Sequence, residues 1–103
     1  YITDMARSLS NIEGNFKEGE VYDIGGEDFH TVEDAANIIL CQLGKEKHRK
    51  KLVIYKDEEI LTTRQKKVDC AKARRDLDHK TIVSLKDGIA STLAWMKEVY
   101  KVK

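Results

Sequence analysis

Apolar positions along the chain switch between helical spacing and short continuous runs, and the switches divide it into six segments. Tyr1-Ile2 reads as the tail of an extended piece. Thr3 is placed to cap a helix, Asp4 suits that helix's positive end, and Met5, Leu9, Ile12 and Phe16 recur at helical spacing. Gly14 and Gly19 weaken this stripe, so the helix should stop between Ile12 and Asn15. Glu20–Ile24 is β-rich and ends on Gly25-Gly26, which predicts a short strand and a tight turn. Thr31 with Asp34 resembles a capping box. Val32, Ala35, Ala36, Ile39, Leu40 and Leu43 then form a broad apolar face that Gly44 terminates.

Leu52-Val53-Ile54-Tyr55 is a continuous apolar run and predicts a second, buried strand. Residues 57–67 are polar and without clean periodicity, as in a loop. Asp69 can cap a short helix carrying Cys70, Ala73 and Leu77 on its inner face. Ser84 with Asp87 opens the last helix, lined by Leu85, Ile89, Leu93, Met96 and Tyr100, with Trp95 and Val99 widening the stripe. Trp95, Met96 and Tyr100 are expected in a core or at an interface between lobes. The order is helix, strand, helix, strand, short helix, long helix. The expected fold is α/β: a small helix-rich lobe with two short strands. Two strands are few for so many amphipathic helices, so their partners are expected outside the chain.

The composition changes this picture little. Of 103 residues, 41% are apolar and 36% charged, and the net charge of +1 argues against a binder dominated by phosphate contacts. One local exception is Lys45–Lys51, where Lys45, Lys47, Arg49, Lys50 and Lys51 surround His48; it reads as a solvated loop or a phosphate-facing patch. No run reaches membrane-spanning length and no export leader is present, so neither a membrane nor a nucleic acid is expected as partner, and the cytoplasm is the expected location. Cys41 and Cys70 form no CxxC pair and read as reduced, half-buried thiols. His30, His48 and His79 fall in separate loops without metal-ligand spacing, so they read as loop polar residues and no metal is expected.

Four stretches resemble, in order, the C-terminal portion of the extended short-chain dehydrogenase/reductase family, which includes NAD-dependent nucleotide-sugar 4,6-dehydratases, 4-epimerases and UDP-glucuronate decarboxylases. Residues 1–7 (YITDMAR) look like the family's Y-V-x-D-x-A-R, and residues 19–26 (GEVYDIGG) like G-E-x-Y-N-I-G-G. Residues 64–73 (RQKKVDCAKA) look like R-Q-x-x-x-D-x-x-K-A, and Ser84–Ile89 with Thr92 and Trp95 like S-L-x-E-G-I-x-x-T-x-x-W. Asp23 departs from the family's Asn. Leu77-Asp78-His79-Lys80-Thr81 stands where the family has L-G-W-x-P.

The resemblance implies that residues 1–103 are the substrate-binding lobe of such an enzyme. It also implies a Rossmann-like domain before Tyr1 carrying NAD, the substrate being a UDP- or dTDP-linked sugar. In these enzymes the cofactor transiently oxidises the sugar at C4 and hydride later returns. The chain itself lacks both G-x-x-G-x-x-G and Y-x-x-x-K, so no catalytic or cofactor-binding residue is assigned and the lobe is expected to be inactive alone. Arg64 is the candidate for pairing with the diphosphate, with Lys66 and Lys67 adding positive potential; the alternative is exposed loop cations. Asp69 and Asp4 read as helix caps, and Gly25-Gly26 as a turn, because Glu27 and Asp28 would repel a phosphate. A second reading keeps the fold without the enzyme, as a free-standing protein-interaction module.

Overall fold

The computed structural model describes residues 1–57 and 65–101. Among them the chain is helical and contains no strand, which overturns the expected α/β fold with two short strands. The helices are α1 (Ile2–Ser10), α2 (Val32–Gln42), α3 (Arg49–Leu52), α4 (Ala71–Leu77) and α5 (Leu85–Tyr100), with one 3-10 turn at Glu46–His48. The reason lies in what a strand requires. Residues 20–24 and 52–55 were the expected strands, but a strand exists only as part of a ladder, and among the described residues no strand is paired with them. Val21 is 77% exposed and Ile54 80%, so neither run is buried. Leu52 instead closes α3. Tyr1-Ile2 is not an extended tail either: the Tyr1 carbonyl accepts from the Asp4 and Met5 amides at 3.1 and 3.4 Å and opens α1.

The described chain divides into two compact units, Tyr1–Phe29 with Lys66–Ser84 and His30–Gln65 with Leu85–Lys103. In the first, α1 packs on α4. The core is small: Cys70, Ala73 and Leu77 are buried on the inner face of α4, as their spacing predicts. Asn11 Nδ2 donates to the Leu77 carbonyl at 3.0 Å and ties the end of α1 to the end of α4. Helix α4 stops because Asp78 adopts the left-handed region (φ 48°, ψ 36°), which lets the His79 amide close on the Ala73 carbonyl at 3.1 Å. A left-handed residue with a Cβ is strained, so this is the kind of position where glycine is favoured. It is also where the resembled family carries Gly. The apolar stripe of α1 is not core: Ile2, Met5 and Leu9 are exposed.

In the second unit α2 begins and ends on local chemistry. Thr31 Oγ1 accepts from the Asp34 amide at 3.0 Å while the Asp34 carboxylate accepts from the Thr31 amide at 2.8 Å, a reciprocal capping box. At the other end Gly44 (φ +64°) turns left-handed, and the Gly44 and Lys45 amides donate to the Cys41 and Leu40 carbonyls. Helix α2 packs on α5, and Leu40 of α2 and Gly88 of α5 are both buried. Gln42 Nε2 adds a bond to the Lys86 carbonyl at 2.8 Å. The outer end of α5 is uncovered: Trp95, Met96, Val99 and Tyr100 are exposed, with the Trp95 and Tyr100 rings edge to face at 5.8 Å. They are not core residues of this chain.

Candidate functional site

The polar chemistry of the first unit converges on a cavity of about 210 Å³ lined by Gly25, Glu27, Cys70, Arg74, His79, Lys80 and Thr81. Its floor is a buried network. His79 is only 4% exposed, and its Nε2 lies 2.8 Å from the Gly25 carbonyl oxygen. A carbonyl only accepts, so Nε2 carries the hydrogen. The Cys70 thiol donates to the same oxygen at 3.5 Å. On the other side of the ring, Nδ1 lies 2.7 Å from Ser8 Oγ, which is also 3.1 Å from the Asp4 carbonyl. Ser8 has one hydrogen to give. A neutral ring accepts it at Nδ1, and a charged ring donates to Ser8 while the hydroxyl turns to Asp4.

Asp4 organises the opposite edge of this network. Its side chain is buried within α1, where Oδ2 accepts from the Ile82 and Val83 amides at 3.1 and 3.0 Å and Oδ1 accepts from Arg7 at 3.1 Å. Asp4 therefore caps a distant turn rather than its own helix, whose cap position is Tyr1. The Val83 amide chiefly, then Arg7 and the Ile82 amide, hold its carboxyl below the ordinary value against the opposing effect of burial. Asp69 is not the cap residue expected: the cap position of α4 is Cys70, and Asp69 stands one residue earlier, where its Oδ1 accepts from the Ala71 amide at 2.9 Å.

Ser8 beside His79 has the atoms of a nucleophile and its base, but Ser8 is 1% exposed and does not line the cavity, so no substrate reaches it. The rim is charge-balanced. Arg74 pairs with Glu27, and Lys80 pairs with Asp78 at 2.8 Å. Below the rim, Glu20 pairs with Lys72, and Asp76 gathers Arg75, Lys17 at 2.8 Å and the Tyr22 hydroxyl at 3.1 Å. The Arg75 guanidinium chiefly, with Lys17 and Tyr22, pulls the Asp76 carboxyl far below its usual range.

Of the three residues expected to bind substrate, Arg64 lies outside the described residues. Lys66 and Lys67 are exposed, make no bond among the described residues and do not line the cavity. No group of three His, Cys, Asp or Glu side chains that could hold a metal occurs among the described residues. A Cβ added to Gly25 would meet the Val68 side chain at 3.4 Å, and one on Gly26 would meet Thr81 at 3.9 Å, so both glycines lie in ordinary contact with side chains of the same unit. His79, Ser8 and Arg74 carry no local signal that marks them; the break in the family pattern at Asp78-His79 is the one hint that this corner is rebuilt. Cys70 is buried as its helix position suggests, whereas Cys41 is exposed. Comparison with known protein families, curated proteins and solved structures finds no match.

Proposed function

We propose that this chain is the nucleotide-sugar-binding portion of an NAD-dependent sugar-nucleotide epimerase, dehydratase or decarboxylase of the cytoplasm, inactive by itself. The observation that carries the reading is that residues of three separate family-like stretches bond within one unit. Glu20 of the second stretch pairs with Lys72 of the third, the Gly25 carbonyl accepts from Cys70, and Asp4 of the first stretch caps the turn that follows α4. On this reading the lobe binds and orients the nucleotide-sugar, with Arg64 on the diphosphate and Lys66 and Lys67 adding positive potential, while hydride chemistry belongs to a dinucleotide-binding domain. No described helix is long and apolar enough to cross a membrane.

The test is calorimetric titration of the full-length protein with UDP- and dTDP-sugars. Removing a bidentate arginine–phosphate contact by Arg64→Ala should weaken binding by about 10- to 100-fold. Unchanged affinity for every such sugar nucleotide would overturn the assignment of Arg64. The exposed Ile2, Met5 and Leu9 face of α1 favours a second reading, a protein-interaction module. A clean monomer in light scattering, without sugar-nucleotide affinity, would favour that second reading.

A further inference from the structure

The second unit presents a surface in which lysines and uncovered apolar side chains are held together. Arg49 at the start of α3 does not contribute to it, because its guanidinium pairs with Glu33 of α2 and donates to Tyr55 Oη at 2.8 Å. The Tyr55 hydroxyl in turn donates to Glu33 at 3.0 Å. This three-residue clamp fixes residues 53–55 and the lysine-bearing turn against the first turn of α2. What remains outside the clamp is Lys45, Lys47, Lys50, Lys51 and Lys56, all exposed and without an ion pair among the described residues. In the same stretch of chain Leu52 and Ile54 are 52% and 80% exposed. Within the patch the acidic residue is Glu46, and the sequence turns acidic at Asp57, Glu58 and Glu59, which bounds it.

We propose that this surface docks on an anionic lipid bilayer. Lysines concentrated in a chain of net charge +1 supply the attraction to acidic headgroups, which acts within a Debye length. Two exposed aliphatic side chains in the same stretch, Leu52 and Ile54, supply the apolar contact that lets a peripheral protein enter the headgroup–acyl boundary. On a nucleic acid duplex those aliphatics would gain nothing, and the arginine best suited to phosphate is already consumed. The absence of a spanning segment concerns the bilayer's interior and leaves its surface open as a partner.

The test is co-sedimentation of the chain with sucrose-loaded vesicles of phosphatidylcholine, alone or mixed two to one with phosphatidylserine. Binding should require phosphatidylserine and fall as salt is raised. Lys50→Gln with Lys51→Gln should lower the partition coefficient by about 30-fold, from roughly fivefold per lysine. Ile54→Ser should weaken it at unchanged charge. All three positions are exposed, and circular dichroism melts should match the parent. No sedimentation, or equal sedimentation with both vesicle types, overturns the proposal. Equally tight binding to duplex DNA that Ile54→Ser leaves intact also overturns it, in favour of a general polyanion patch.

Discussion

His79→Phe tests whether the floor of the cavity is held by hydrogen bonds or by shape. Phenylalanine fills similar space but brings no donor. The Gly25 carbonyl would lose the 2.8 Å bond from Nε2 and keep only the weak thiol contact from Cys70. A buried acceptor deprived of its donor costs about 1–3 kcal/mol. Ser8 is spared, because its hydroxyl still reaches the Asp4 carbonyl at 3.1 Å. Gly25 is half-buried and lines the cavity, so the expected loss lies at the low end for one acceptor, about 1 kcal/mol. Ser8→Ala alone should cost about 1 kcal/mol, since it leaves Nδ1 of a buried ring unpaired. Together the two substitutions should cost about 1 kcal/mol less than their sum, because the second removes a group the first has already stranded. Urea unfolding followed by circular dichroism in reducing buffer measures all three. Additivity within about 0.3 kcal/mol would refute an energetic Ser8–His79 bond. A His79→Phe cost below about 0.5 kcal/mol would refute the role assigned to the Gly25 carbonyl.

Two further outcomes follow from the same unit. Asp78→Gly should raise stability by about 0.5 kcal/mol, the relief of a left-handed Cβ less the entropy of a freer unfolded chain, whereas Asp78→Val should lower it by about 1–2 kcal/mol; a thermal melt in which Val matches Asp would refute the strain. Acid should destabilise the first unit, because Asp4, Glu20 and Asp76 all have carboxyls held below their ordinary values of 3.8, 4.5 and 3.8. The stability they contribute is present above those unfolded values and is lost as pH falls through them toward the folded ones; unfolding midpoints that stay flat from pH 6 to pH 3 would contradict this.

What was legible in the sequence is what local chemistry decides. The capping box at Thr31 and Asp34 and the left-handed stop at Gly44 need only neighbours in the chain, and α2 begins and ends where they say. The inner face of α4 was readable for the same reason. The strands were misread because β-rich and continuous apolar runs describe side chains ready to pack in a ladder, and residues 20–24 and 52–55 have no ladder to join among the described residues. Asp4 was misread for the opposite reason. Beside Thr3 it looks like a residue of its own helix start, but its partners are amides 78 and 79 positions away. His79 likewise meets Ser8 across 71 residues. Contacts of that span leave no trace in local pattern, so the site's framework was the part that only coordinates disclose.

The division of the chain also has a consequence for how it is made. The first unit takes residues 1–29 and 66–84, and the second takes 30–65 and 85–103, so the two are interleaved in sequence. On a ribosome α1 emerges early but waits for α4 and for the Ile82 and Val83 amides before Asp4 has anything to cap. Helix α2 waits in the same way for α5. Neither unit can be completed in order of synthesis, and both close late through long loops whose entropy must be overcome first. Until α4 is out the inner face of α1 stays uncovered, and until α5 is out that of α2 does, and these are the intervals in which a nascent chain of this design depends most on chaperones.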